Sequence, residues 1–213
     1  MKTEDLIATL SADTAPPPRM ALGARLAMAC GVSAVVALVA TAVWLGLRPD
    51  MMGAMHTRAF WMKACYTGAL SIAGFMAVSR LARPGGRAGA AAWVLALVVT
   101  AMFGMSGMRM MMMAPDHRMA AWLGASWTVC TRNIVLLSIP VFVGVILVLR
   151  QLAPTRLRLA GTGAGLLASA LGATVYGLHC PETGAAFVAT WYSLGVAVWA
   201  AIGAALGPRL LRW

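Results

Sequence analysis

Acidic side chains are scarce in this chain. Six Asp and Glu stand against seventeen Lys and Arg, and charged residues of both signs make up 11% of 213 positions. A soluble domain carries about 25% charged and about 45–50% apolar residues, whereas 61% of this chain is hydrophobic and its mean hydropathy is +0.82. The length would suit one or two soluble domains, but a water-soluble fold could not hide this much apolar surface. No basic patch with interleaved aromatics accompanies the net charge of +11, so a nucleic-acid partner is not expected. The basic residues are scattered between apolar blocks, as loop charges that set orientation or meet anionic headgroups are. The four cysteines include no Cys-x-x-Cys, which argues against a disulfide-exchange enzyme.

What is present is a series of long uncharged runs. Charges bracket residues 26–47, 88–108, 133–149, 159–178 and 185–206, each close to the roughly 17–25 residues that cross a bilayer as a helix. A sixth run, 59–79, contains Lys63 near its start, where the ammonium is expected to snorkel back to the headgroups. The fold class is therefore all-α: a polytopic membrane protein of six transmembrane helices. Residues 119–131 are apolar but too short to cross, and Trp122 and Trp127 favour an interfacial helix before span four. Pro140 should kink span four, with Ser138 able to satisfy a freed carbonyl. The chain divides into a tail (1–25), a membrane domain (26–207) and a short end (208–213).

Eleven of the seventeen Lys and Arg fall on the side of the two termini, so both termini are expected to be cytoplasmic. Glu4, Asp5 and Asp13 precede a full-length first span, unlike the short basic and apolar regions of a cleavable signal, so the tail is expected to stay on the protein. In that tail Glu4 and Asp5 suit the first turn of a short helix, with Thr3 as a candidate N-cap. Leu6, Ile7 and Leu10 share one face, and 15–18 (Ala-Pro-Pro-Pro) forms a semi-rigid spacer. About ten residues do not hold a helix alone in water. Such a segment either orders on a partner's groove, apolar face inward, or stays solvated.

The outer side collects His56, His117, His179, Cys130 and Cys180, while Cys30 and Cys65 lie within spans as small buried hydrophobes. Cys130 precedes span four, and Cys180 sits in the turn His179-Cys180-Pro181-Glu182. Two readings stay open for this pair. It forms a structural disulfide, or it stays free and, with His179 and Glu182, offers ligands to a soft ion such as Zn²⁺, Cd²⁺ or Cu⁺. No cofactor is otherwise required. Eight methionines in outer loops, Met51, Met52, Met55, Met110, Met111, Met112, Met113 and Met119, are either thioether donors or flexible apolar filler.

Met1-Lys2-Thr3-Glu4-Asp5-Leu6-Ile7, Gly46-Leu47-Arg48-Pro49-Asp50, Ser126-Trp127 with Cys130, Ser138-Ile139-Pro140 and His179-Cys180-Pro181-Glu182 together resemble the NrsF-type membrane anti-sigma factors across nearly the whole chain. The resemblance implies a six-span negative regulator that sequesters an extracytoplasmic-function (ECF) sigma factor at the cytoplasmic face. By that resemblance Asp5, Leu6 and Ile7, with Leu10 on the same face, contact the sigma factor, and Cys130 and Cys180 sense heavy-metal or oxidative stress. The Met-rich loops are outside that pattern.

Two other classes compete. A small metal transporter or efflux component would need intramembrane carboxylates, and the spans carry none. A membrane thiol redox protein would be expected to show a closely spaced cysteine pair or quinone-site signals, also absent. The chain is therefore expected not to be an enzyme.

Overall fold

A backbone without water must pair its own N–H and C=O groups, so each long apolar run folds as a helix. The structure, a computed structural model, describes residues 3–12 and 21–212. The 15–18 spacer and the side chain of Leu10 lie outside the described residues. Among the described residues the regular structure is entirely helical.

Helix α1, Thr3–Ala12, has Glu4 and Asp5 in its first turn. The six candidate crossings are α2 (Leu22–Leu45), α4 (Arg58–Leu81), α5 (Gly89–Met111), the broken segment Pro115–Arg150, α9 (Leu157–Tyr176) and α10 (Ala185–Leu210), all long and apolar enough to span a bilayer. A short helix α3, Met51–Met55, fills the first loop. The broken segment consists of α6 (Pro115–Leu123), α7 (Trp127–Leu137) and α8 (Ile139–Arg150).

Four expectations shift. The short helix before span four lies at Pro115–Leu123, ended by Gly124 at φ 59, a left-handed position that favours glycine. Cys130 consequently belongs to α7, on the first half of the fourth crossing, and not to the interfacial helix. Lys63 does not snorkel: it is 4% exposed, turned inward to backbone carbonyls. The break at Ser138 falls two residues before Pro140, as anticipated. Its hydroxyl donates to Ile134 O at 2.6 Å, however, and not to the carbonyl of residue 136 that a proline at 140 leaves without its helical donor. The helix of the sixth run extends to Leu210.

The loops report which helix ends meet. Gly85 N donates to Thr155 Oγ1 at 3.1 Å, and Gly207 packs on Leu157, so the second and fourth loops share an end with the C-terminal turn of α10. Arg48, His179 and Glu182 link the first, third and fifth loops at the opposite end. The first end is basic; the second holds the thiols.

Helix α9 is the axis of the bundle, with 78% of its most apolar window buried. Glycines permit this position. A Cβ at Gly161 would collide with the Gly203 carbonyl and one at Gly165 with the Trp199 carbonyl, so α9 and α10 touch backbone to backbone. Gly74 of α4 and Gly172 of α9 allow equally close approach to Leu167 and Ser138. The core forms two layers. One, toward the basic end, centres on Leu26, Val78, Val145, Leu149 and Leu167; the other, toward the thiol end, contains Tyr66, Cys130, Tyr176, Cys180, Phe187 and Tyr192. The outer faces of α2 and α5 present Val32, Val35, Val39, Trp93 and Leu97, as lipid-facing surfaces do.

Candidate functional site

The turn between α9 and α10 is short, and neighbouring segments hold it. Within it, His179 N and Cys180 N both donate to Tyr176 O at 3.0 Å. From the first loop, Arg48 N donates to Leu178 O at 3.3 Å, and the His179 ring meets the Gly46 carbonyl through Nδ1 at 2.8 Å. Arg48 also grips Asp50, with Nη2 to Oδ2 at 2.7 Å. That bond holds the Asp50 carboxyl below, and the guanidinium above, their ordinary values.

From α4, Lys63 Nζ donates to Cys180 O at 2.7 Å and to Glu182 O at 3.3 Å. The Glu182 carboxylate then reaches across to α7. Its Oε1 accepts from Ala125 N at 2.7 Å, Ser126 N at 3.1 Å and Ser126 Oγ at 3.3 Å. A carboxylate at a helix start pairs amide donors the helix itself cannot pair and meets the positive end of its dipole. One turn thus ties α4, the first loop and the start of the Cys130 helix together.

The two thiols meet inside this frame. Cys130 and Cys180 are both 0% exposed and neither is in a disulfide. They belong to one buried cluster, each near enough to influence the other's ionisation. The Cys130 thiol, and next the Lys63 ammonium, hold the Cys180 thiol well below its ordinary value against the opposing effect of burial. Tyr176 and Tyr192 wall the pair, their rings 6.0 Å apart, and Lys63 Nζ lies 6.0 Å from the Tyr192 ring centroid. The Tyr192 hydroxyl sits beside Cys180 without reaching hydrogen-bond geometry, and Asn133 Oδ1 is also buried without a partner.

Of the residues singled out from sequence, Cys130 and Cys180 come together, although spans four and five separate them in the chain. His179 and Glu182 do not join them as donors: one ring is engaged by Gly46 and one carboxylate by Ala125 and Ser126. Among the described residues no group of three or more His, Cys, Asp and Glu is arranged to hold a metal ion. His117 pairs with Asp116 at 3.5 Å on the surface. Met111 and Met113 lend their carbonyls to the Arg118 guanidinium, and Met52, Met111 and Met112 are exposed. In α1, Leu6 and Ile7 are exposed.

Sequence reasoning did not bring Tyr176, Tyr192 or Asn133 to this site, and it gave Lys63 only a snorkelling role and Ser126 only a place in a motif. A signal existed for the tyrosines: the chain has only three, and all three belong to the buried layer at the thiol end. Lys63 carried one too, as the only charge within the apolar part of its span.

Comparison with known proteins places this arrangement in context. A family model described as "Negative regulator of sigma F" (NrsF) matches residues 10–213. The Anti-sigma-F factor NrsF of Caulobacter vibrioides is 42% identical over 215 aligned residues, covering 100% of both chains. The Probable anti-sigma-F factor NrsF of Azospira oryzae is 39% identical over 213, again covering 100% of both. No solved structure matches the chain.

Proposed function

The chain belongs to the NrsF family, and from that membership we propose that it is a membrane anti-sigma factor whose thiol end governs the hold of its tail on a sigma factor. The six apolar helices cross the inner membrane, with the basic end in the cytoplasm and the thiol end outside. Helix α1 binds an ECF sigma factor through Asp5, Leu6, Ile7 and Leu10. The exposed pair Leu6 and Ile7 suits an apolar groove.

The observation that carries the regulatory half is the buried, unbonded Cys130–Cys180 pair. A peroxide is the class of stimulus this geometry supports best. The Cys180 thiolate and Cys130 thiol lose one proton and two electrons in total to hydrogen peroxide. One S–S bond forms, the O–O bond breaks, and water and hydroxide leave. The sulfurs must close to about 2.05 Å, which pulls α7 against the α9–α10 turn and disturbs the Lys63 and Glu182 contacts. A change of roughly 1–3 kcal/mol between two states alters partner affinity about 5- to 150-fold. Among the described residues no third His, Cys, Asp or Glu joins the two sulfurs, so an ion that needs three or four such donors is the less supported stimulus.

The test of the binding half is co-purification of the sigma factor with the full chain and with a chain lacking residues 2–14. Loss from the shortened chain is expected; equal recovery from both rules out the tail as the binding element.

A further inference from the structure

At the basic end, α9 and α10 leave an open depression of about 740 Å³ at the surface. Arg158 borders it from the first turn of α9, and Arg209 and Arg212 from the end of α10. All three guanidiniums are exposed. The two ion pairs among the described residues, Arg48–Asp50 and Asp116–His117, involve none of them. Their donors have no protein acceptor among the described side-chain hydrogen bonds either. Three fork-shaped cations are thus gathered on one concavity, with no anionic partner among the described residues.

The floor is apolar and shallow. Ala201, Ala204 and Ala205 lie at i, i+3 and i+4 on α10, and Pro208 continues the same face one turn on. The closest approach to α9 is made at Trp199, Gly203 and Gly207, while Ala201 and Ala205 stay exposed beside it. They leave a furrow running from the guanidiniums toward the apolar middle of the helix.

We propose that this depression is a binding site for one anionic glycerophospholipid, its phosphate held by Arg158, Arg209 and Arg212 and an acyl chain laid along the Ala201–Ala205 furrow. Arg is suited to the role because its planar fork takes two phosphate oxygens at once. Basic pockets between helices at the membrane boundary select anionic headgroups. The depth is appropriate, since the arginines stand where both helices leave their apolar runs. The furrow distinguishes a lipid from a free phosphate, which has no use for an apolar floor. The site lies at the opposite end from the cysteines and does not depend on them.

The experiment is native mass spectrometry of the full chain, purified in detergent and offered equal amounts of phosphatidylglycerol and phosphatidylcholine. Phosphatidylglycerol is expected to be retained about tenfold or more in preference. The triple variant Arg158→Gln/Arg209→Gln/Arg212→Gln should lose that preference. The triple Arg80→Gln/Arg83→Gln/Arg87→Gln, which removes equal charge from another loop at the same end, should keep it. Ala201→Leu/Ala205→Leu fills the furrow at exposed positions while leaving every charge and the α9 contact in place, and it should also lower retention. The proposal is overturned if both arginine triples lose the preference equally, if the leucine variant retains lipid as the unaltered chain does, or if excess inorganic phosphate displaces the lipid completely.

Discussion

Lys63 shows how one side chain sets the character of the thiol pair. A buried ammonium is costly unless it is paired and hydrogen-bonded, and Lys63 meets the carbonyls of Cys180 and Glu182 without a carboxylate in ion-pair range. The groups facing Cys180 from the packed elements are Lys63 on α4, Cys130 on α7, Tyr176 on α9, Tyr192 on α10 and Arg48 in the first loop. Cys130 first, and Lys63 next, favour the thiolate of Cys180. The sign follows: with the thiol held below its ordinary value, the reactive thiolate persists as pH falls through neutrality, whereas a free cysteine loses it below about 8.5. The rate of peroxide-driven disulfide formation, followed by mass after alkylation, should therefore hold from mildly alkaline to neutral pH and decline only below. Lys63→Met should move that decline to higher pH and leave two carbonyls unpaired, destabilising the turn by about 1–3 kcal/mol. An unchanged pH profile in Lys63→Met would remove the ammonium from the account.

At the scale of elements, the start of α7 depends on a residue more than fifty positions away. Ser126 makes no side-chain cap of its own; Glu182 takes the backbone donors of Ala125 and Ser126 instead. Glu182→Ala should loosen the first turn of α7 by about 1–2 kcal/mol. It should also raise hydrogen exchange at residues 125–130 more than in α9, and protection unchanged in that turn would count against the cap. The crossings were legible in the sequence because charges bracket each apolar run. The placement of Cys130 was not. Residues 119–131 are uncharged and mostly apolar, and Gly124 in a left-handed conformation divides α6 from the helix that carries the thiol. The inward turn of Lys63 was equally hidden, because the carbonyls that receive it come from a turn more than a hundred positions further along the chain.

For the whole molecule, the two-layer core separates a basic end from a thiol end, and α9 with its backbone contact to α10 runs between them. The family was legible because its motifs occur in order along nearly the whole chain. The partners of the turn were not, because a pattern along one chain does not say which loops meet. Disulfide formation at one end must alter packing that the other end shares if it is to change the hold on a sigma factor. The most direct measurement is the fraction of sigma factor that co-purifies with the full chain in membranes before and after hydrogen peroxide, alongside Cys130→Ser and Cys180→Ser. The account predicts retention before peroxide in all three, release of the sigma factor by the unaltered chain after it, and retention by both variants. Release from the serine variants equal to that from the unaltered chain would contradict it.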